Sequence, residues 1–341
     1  MQPLIAHLET GSDLSPLQIS GAVASLISEN VDDASKASFL KALRAKGETA
    51  QEIAGFADAL LAHAVDPKIE REKLGGPLID VCGTGGDRMD LFNVSTAGMF
   101  VLAAGGAVVV KHGNRAITSK CGGADVLESL GVKIDLAPAD LKRCVESVGV
   151  GFLFAPHYHP AFKAIAPVRK MLAAEGVTTV FNLLGPLLNP ARPDFQLTGV
   201  FDKMLLGKYA TVLALLGRKR AWALNSGGAD EILPFETTEV SEVVAGGVPC
   251  DFQIHPWHLG VAACAHDELR GGDCAENARI LLGVLDGSIR GGKRDVVLLN
   301  AAAGFTVTGL AHDMHAGVAL ANEQIDSGRA LAKLRELQSF K

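Results

Sequence analysis

Two short glycine-bearing stretches concentrate the residue types that hold anions. The first, Asp80-Val81-Cys82-Gly83-Thr84-Gly85-Gly86-Asp87, follows a short apolar run and leads to Asn93-Val94-Ser95-Thr96 at the start of a helix. Glycine has no Cβ, so backbone N–H groups there can approach an anion closely. A helix N-terminus with Ser95 and Thr96 adds donors and the positive end of a dipole. A phosphate or pyrophosphate is the natural guest. The stretch is not a P-loop, since no Gly-Lys-Ser/Thr follows, and it is not Gly-x-Gly-x-x-Gly. The second stretch, Lys111-His112-Gly113-Asn114-Arg115, follows a β-branched run. Its Lys and Arg supply charge, and its Asn supplies an orientable donor and acceptor. Two such loops after successive strands suggest a ligand with more than one phosphate. Ligands of that kind usually need Mg²⁺, which prefers one or two carboxylates with phosphate oxygens and water. Asp230-Glu231 stand after the apolar run Ala221 to Asn225 and the loop Ser226-Gly227-Gly228-Ala229. Taken singly, each feature also has a plainer reading: a tight turn with a Ser/Thr cap, a solvated charge cluster, a surface acidic pair.

The elements that must position these residues can be read from periodicity. Residues 1 to about 70 look all-helical. Leu14, Leu17, Ile19, Val23, Leu26 and Ile27 recur near a 3.6-residue period, Ala34 to Ala45 continues to a stop at Gly47, and Thr49 with Glu52 forms a capping box before Ile53 to Ala64. Helices this short must bury their stripes on one another, on a later segment, or on a second subunit. From Pro77 the pattern alternates: strand 78–82, glycine loop, helix Thr96 to Ala104, strand 108–111, second glycine loop. That alternation predicts a mostly parallel sheet covered by helices. Further helices are expected at Ala124 to Leu130, Pro138 to Val148, 162 to 175 and Met204 to Leu216, and strands at Gln196 to Val200, Ala221 to Asn225, Val240 to Val244 and Asp251 to Ile254. Two closing helices are expected over Cys274 to Leu285 and Ala311 to Gln338. The expected fold class is α/β, with a small N-terminal helical domain over 1–72, joined by a helix from about 162–180, and a larger domain over 73–341.

Composition excludes several function classes. The 341 residues carry 32 Lys+Arg against 38 Asp+Glu, a formal charge of −6, so the basic footprint of a nucleic-acid-binding domain is missing. The N-terminus lacks a positive region followed by an apolar one, and no run of 18 apolar residues follows, which predicts a soluble, cytoplasmic protein without membrane contact. Six scattered cysteines without a Cys-x-x-Cys pair argue against a disulfide framework and a zinc site. His157 and His159 form an isolated His-x-His that lacks a third nearby ligand.

The chain resembles anthranilate phosphoribosyltransferases from about Leu14 to Leu337. The resemblance rests on GTGGD at Gly83 to Asp87 with Asn93-Val94-Ser95-Thr96, KHGNR at Lys111 to Arg115, GADVLESLGV at Gly123 to Val132, FAPHYHPA at Phe154 to Ala161, FNLLGPLLNPA at Phe181 to Ala191, and Asp230-Glu231. Each motif alone is weak, but six in order are specific. The family fold, like that of nucleoside phosphorylases, is a helical domain plus an α/β domain, and its members are typically homodimers joined through the helical domain. Its reaction moves the 5-phosphoribosyl group of phosphoribosyl pyrophosphate to the amine of anthranilate in tryptophan biosynthesis.

Carried over by position, the resemblance implies donor contacts from Gly83, Thr84, Gly85, Gly86, Asp87, Asn93, Val94, Ser95, Thr96, Lys111, His112, Gly113, Asn114, Arg115, Ser119 and Cys121. It implies anthranilate contacts from Gly83, His112, Asn114, Arg169 and Pro186, and two Mg²⁺ ions held by Ser95, Asp230 and Glu231. No residue is assigned as acid or base, because anthranilate's amine is already a nucleophile. The chain departs from the family pattern at Arg88 and Leu91, at Cys121 and Gly123, where serines are common, and over Met171 to Val177, which runs about three residues longer. Two alternatives stay open: a nucleoside phosphorylase of related fold, and a paralogue with another acceptor or a non-catalytic binding role.

Overall fold

The computed structural model describes residues 1–86, 89–116 and 120–341. Among the described residues seven strands form one sheet: β1 (Leu78–Gly83), β2 (Val108–Gly113), β3 (Val150–Phe154), β4 (Phe195–Gly199), β5 (Arg220–Ser226), β6 (Thr238–Val244) and β7 (Cys250–Ile254). Their order is β3-β2-β1-β4-β5-β6-β7. The first five pair in parallel, and β6 and β7 extend the edge in antiparallel fashion. Leu78, Ile79, Val81 and Val108 to Val110 are all buried, as expected of parallel strands covered on both faces. The chain leaves β1 for β2 on one side, whereas β4 lies on the other. Such a reversal opens a crevice at the carboxyl ends of the strands, where ligands of open α/β sheets bind.

Four helices precede the sheet: Gln2–Glu9, Pro16–Leu26, Asp33–Lys46 and Ala50–Leu61. Capping boxes open the second, through Ser15 and Gln18, and the fourth, through Thr49 and Glu52. Their apolar stripes meet in a core that also holds Ile165, Val168, Leu172, Phe181 and Leu184, together with Tyr209, Val212 and Leu213 of the helix Leu206–Leu215. Ala221, Ala223 and Val243 bring one side of the sheet into the same core. The opposite core is built around Val94 to Ala103, β1 to β3 and the C-terminal helices.

Several expectations need correction. The helix Gly292–Thr308 is absent from the expected elements; nearly all of it is buried, so it has no polar stripe from which a period could be read. The strand β3 is five residues, all buried, following the left-handed Gly149, and a run that short carries no alternation. The expected single helix over 311–338 is two, Met314–Asp326 and Arg329–Ser339. They are separated at Gly328, whose φ of +75° interrupts the helical path.

Candidate functional site

The carboxyl ends of β1 and β4 meet glycine to glycine, Gly83 beside Gly199. A Cβ at Gly83 would stand 2.1 Å from Asp230 Oδ2, and one at Gly199 would stand 1.7 Å from the Asp230 carbonyl oxygen. The paired glycines therefore make the space that Asp230 occupies. Beyond Gly83, Gly85 and Gly86 take φ of +70° and +85°, backbone that L side chains rarely adopt. The Gly85 N–H donates to Asp230 Oδ2 at 2.9 Å. Thr84 closes the loop from the other side: its N–H donates to the Gly199 carbonyl at 2.9 Å, and its Oγ1 accepts the Phe201 N–H at 3.1 Å. Asp87 and Arg88 lie outside the described residues.

The acidic pair reaches this point through a tight return after β5. Ser226 and Ala229 exchange backbone hydrogen bonds at 3.1 and 3.0 Å around Gly227 and Gly228, whose φ values are +57° and +103°. Asn300, from the buried helix Gly292–Thr308, then clamps the next residue. Its Oδ1 accepts the Ile232 N–H at 3.0 Å and its Nδ2 donates to the Ile232 carbonyl at 3.1 Å. Glu231 Oε1 accepts the N–H of Ser95, in the first turn of the helix Val94–Ala104, at 3.2 Å. Lys111, at the end of β2 and only 5 % exposed, donates from Nζ to Ser95 Oγ at 3.1 Å and to the Val81 carbonyl. Val81, Ser95, Gly199, Leu224, Asp230 and Glu231 thus surround a space of about 10 Å³, room for roughly one water.

That donor set fits Mg²⁺. The oxygens brought together there are hard ligands: the adjacent Asp230 and Glu231 carboxylates and the Ser95 hydroxyl. Among the described residues no group of three or more His, Cys, Asp or Glu could hold a metal by itself. Phosphate oxygens and water would complete the coordination, as Mg²⁺ commonly requires.

The second loop divides into two faces. His112 Nε2 is buried and has no partner among the described residues. Its ring meets that of His159 edge-on at 5.2 Å. Burial pushes the His112 imidazole down to about 3, with the charges of His159 and Lys111 acting the same way and the Gly185 carbonyl opposing them. His112 is therefore neutral over the physiological range. Asn114 is exposed and accepts the Arg115 N–H at 2.8 Å through Oδ1. The Arg115 guanidinium is turned to the outer surface, where it pairs with Glu128 and Asp125 and lies 5.5 Å from the centre of the Phe154 ring. Gly113 leaves room for Phe152, which a Cβ would approach to 2.9 Å. Ser119 lies outside the described residues. Val94, Thr96 and Cys121 are buried, and the Asn93 amide donates to the Cys121 carbonyl at 3.1 Å.

Arg169 belongs to the helix Ala166–Ala174, and its guanidinium carbon lies 5.4 Å from the Phe181 ring centre. Burial holds its pKa below the usual arginine value. A row of edge contacts runs from His112 to His159 at 5.2 Å, to Phe162 at 5.3 Å and to Phe181 at 5.9 Å. Pro186 is buried beside this row, and its carbonyl accepts Gln196 Nε2 at 2.8 Å. The motif residues of the two halves are thus joined by one continuous aromatic seam.

Three residues that organise the site were missed as such in the sequence. Asp80, fully buried, accepts the His112 N–H at 3.3 Å and Asn189 Nδ2 at 2.8 Å, and Asn189 also donates to the Val110 carbonyl at 2.7 Å. Burial raises the Asp80 carboxyl, while Lys111 and the amide donors oppose that shift. The bond ties β1, β2 and the segment of Pro186 together. Asn277, buried, donates to Asn93 Oδ1 at 3.0 Å and accepts the Gly272 N–H at 2.8 Å. With Asn300 these are lone polar residues in apolar or helical runs; the one readable signal is Asp80 inside Leu78 to Val81.

Comparison with known proteins agrees with the fold. Residues 75–331 match the family model "Glycosyl transferase family, a/b domain", and residues 2–64 match "Glycosyl transferase family, helical bundle domain". The anthranilate phosphoribosyltransferase of Anaeromyxobacter dehalogenans is 46 % identical over 337 residues, 99 % of this chain and 97 % of its own. The crystal structure of the Thermus thermophilus enzyme of the same name superposes with a TM-score of 0.91 at 38 % identity, covering 99 % of this chain and 98 % of that one. The Saccharomyces cerevisiae enzyme in complex with PRPP and Mg superposes with a TM-score of 0.87 at 28 % identity over 98 % and 97 % of the two chains. With an aligned α/β unit, an aligned helical unit and relatives this close over nearly its full length, the chain belongs to the anthranilate phosphoribosyltransferase family.

Proposed function

We propose that this protein transfers the 5-phosphoribosyl group of phosphoribosyl pyrophosphate to the amine of anthranilate, releasing pyrophosphate and giving N-(5-phosphoribosyl)anthranilate, with Mg²⁺ as the required cation. The observation that carries this reading is the meeting of the Gly83–Gly86 loop, Ser95, Lys111 and Asp230-Glu231 at the carboxyl ends of β1, β2 and β5. The donor contacts extend over Thr84, Asn93, Val94, Thr96, His112, Gly113, Asn114, Arg115 and Cys121. Their backbone amides, together with the Lys111 ammonium, supply positive potential within a protein of net charge −6. Ser95, Asp230 and Glu231 would hold the cation, two ions per subunit, which neutralises diphosphate charge when bound.

Cleavage of the bond between C1 of ribose and the diphosphate leaves positive charge on the sugar and negative charge on the departing group. Donors fixed before the reaction stabilise that charge without reorganising. Lys111 is fixed in this way by Ser95 Oγ and the Val81 carbonyl. On the acceptor side, His112, Asn114, Arg169, Pro186 and Gly83 hold the ring and carboxylate of anthranilate, Arg169 supplying the cation. The neutral His112 is too weakly basic to take the amine proton in the ground state, and alignment of an already nucleophilic amine supplies most of the acceleration. The protein acts in the cytoplasm as a homodimer joined through the helical domain. The exposed Leu17, at 84 %, supports that surface, and among the described residues no helix is long and apolar enough to cross a membrane.

The test mixes protein, Mg²⁺, phosphoribosyl pyrophosphate and anthranilate and follows anthranilate fluorescence. Consumption that stops on chelation is the expected result. Unchanged fluorescence beside an active relative overturns the reading, and binding of the donor without turnover selects the non-catalytic paralogue instead.

A further inference from the structure

Asn93 stands where a helix is ordinarily capped by its own side chain. It is the N-cap of the helix Val94–Ala104, and asparagine is among the residues most favoured there, its Oδ1 taking an N–H of the first turn. In this chain the Asn93 side chain makes no capping bond. Its oxygen is engaged elsewhere: Asn277, in the helix Cys274–Leu285 and 184 residues away, donates from Nδ2 to Asn93 Oδ1 at 3.0 Å. Asn277 is 3 % exposed, and its own Oδ1 accepts the Gly272 N–H at 2.8 Å. At the other end Asn93 Nδ2 donates to the Cys121 carbonyl at 3.1 Å.

Backbone groups fix the polarity of this relay at both ends, because an N–H can only donate and a carbonyl can only accept. Gly272 dictates which end of the Asn277 amide is oxygen. Asn277 in turn dictates that Asn93 presents its oxygen to Asn277 and its nitrogen to Cys121. The segment that supplies the Gly272 N–H is itself packed on the backbone leading to Asn93: the Gly271 N–H donates to the Asp90 carbonyl at 2.9 Å, and a Cβ at Gly271 would stand 2.9 Å from the Phe92 Cα.

We propose that Asn277 is a positioning residue for the donor, acting through Asn93. By holding Oδ1 it keeps the Asn93 amide off its own helix, so the first turn, where Ser95 already meets Lys111 and Glu231, stays open to an anion. It also leaves the second Nδ2 hydrogen of the half-buried Asn93 to donate to a phosphate oxygen, where a reversed amide would present a carbonyl oxygen and repel it. The inference rests on the function proposed above, in which Asn93 meets the phosphates of phosphoribosyl pyrophosphate.

A double-mutant cycle tests it. Asn277→Asp still accepts the Gly272 N–H but turns a second acceptor toward Asn93, which reverses the Asn93 amide. Asn277→Ser is too short to reach Asn93 and adds no charge, so it carries the cycle if the aspartate variant does not fold. Each is made alone and together with Asn93→Ala, and the donor KM, the anthranilate KM, kcat and the calorimetric affinity for phosphoribosyl pyrophosphate with Mg²⁺ are measured. Each single variant is expected to weaken the donor by about 10- to 100-fold, the usual worth of one hydrogen bond to a charged group, with the anthranilate KM changed less than about twofold. In the Asn93→Ala background the Asn277 substitutions should cost less than about twofold more, because the residue they act through is gone. Losses that multiply across the cycle overturn the proposal, since Asn277 then supports the fold without directing Asn93. Unchanged donor affinity in the single variants overturns it as well. Absence of both turnover and donor binding in the unaltered protein overturns the proposed function instead, so the two failures are told apart by the parent alone.

Discussion

Asp230 Oδ2 accepts the Gly85 N–H at 2.9 Å across 145 residues of chain, so one carboxylate oxygen orients the glycine loop from the far side of the crevice. An amide oxygen can accept the same bond but carries no charge. Asp230→Asn therefore separates the two roles. The expected outcome is a loss of about 10²- to 10³-fold in kcat/KM for the donor, the usual cost of one misplaced charge-stabilising group, with a raised Mg²⁺ requirement. Stability should change by no more than about 0.5 kcal/mol. Kinetics across a Mg²⁺ titration, alongside a denaturant curve, separate the two.

Gly199 carries a stricter constraint than Gly83. At Gly83 a new Cβ meets the end of the Asp230 side chain, which can turn, whereas at Gly199 it meets the Asp230 backbone carbonyl at 1.7 Å. Gly199→Ala must therefore displace the backbone that carries both acidic residues. A shift of about 1 Å in such a group costs on the order of 10²-fold in rate, and overpacking costs about 1–3 kcal/mol. Gly83→Ala should lose less stability than Gly199→Ala, and thermal melts of the two variants rank them.

Short motifs carried most of what could be read ahead of the structure. GTGGD, KHGNR and the acidic pair stand out together because all three fall at strand ends, although each alone has a plainer structural reading. Asn300 was illegible for the opposite reason: it sits in Gly292–Thr308, a helix without a polar face, and its partner Ile232 is 68 residues distant. Asp80 and Asn189 likewise act through a bond spanning 109 residues. Periodicity reports which face of an element is buried, not which buried amide meets which backbone. The ion pairs of Arg115 with Asp125 and Glu128 were hidden in the same way, since a cation in a glycine-bearing loop shows its charge in the sequence but not which acids its side chain meets.

The histidine pair makes stability depend on pH in a definite direction. Burial lowers the His112 pKa from 6.5 to about 3 and lowers that of His159 as well. The unfolded chain thus binds more protons than the folded one below about pH 6.5, and stability present above that value is lost as pH falls toward the folded pKa values. Each histidine contributes a slope of up to about 1.4 kcal/mol per pH unit. Unfolding midpoints should begin to fall near pH 6, above the range where ordinary carboxylates titrate. His112→Asn should flatten that decline. Equal slopes for variant and parent, measured in one denaturant series, would place the acid sensitivity elsewhere.

Arg169 tests the acceptor side of the site. Its guanidinium carbon lies 5.4 Å from the Phe181 ring centre and the side chain is partly buried, on the helix Ala166–Ala174, whose last turn begins the segment Met171 to Val177. A planar cation over a ring presents its remaining N–H groups in a fixed fork, suited to a carboxylate bound two-point fashion, and lysine reproduces neither the stacking nor the fork. Removing one partner of a buried charged pair costs about 2–5 kcal/mol of binding. Arg169→Ala should therefore raise KM for anthranilate by at least about 30-fold, with the donor KM changed far less, and Arg169→Lys should recover only a small part of the loss. Initial rates with each substrate varied in turn decide the matter. Equal effects on both constants would mean that Arg169 supports the aromatic seam from His112 to Phe181 and does not itself hold the acceptor.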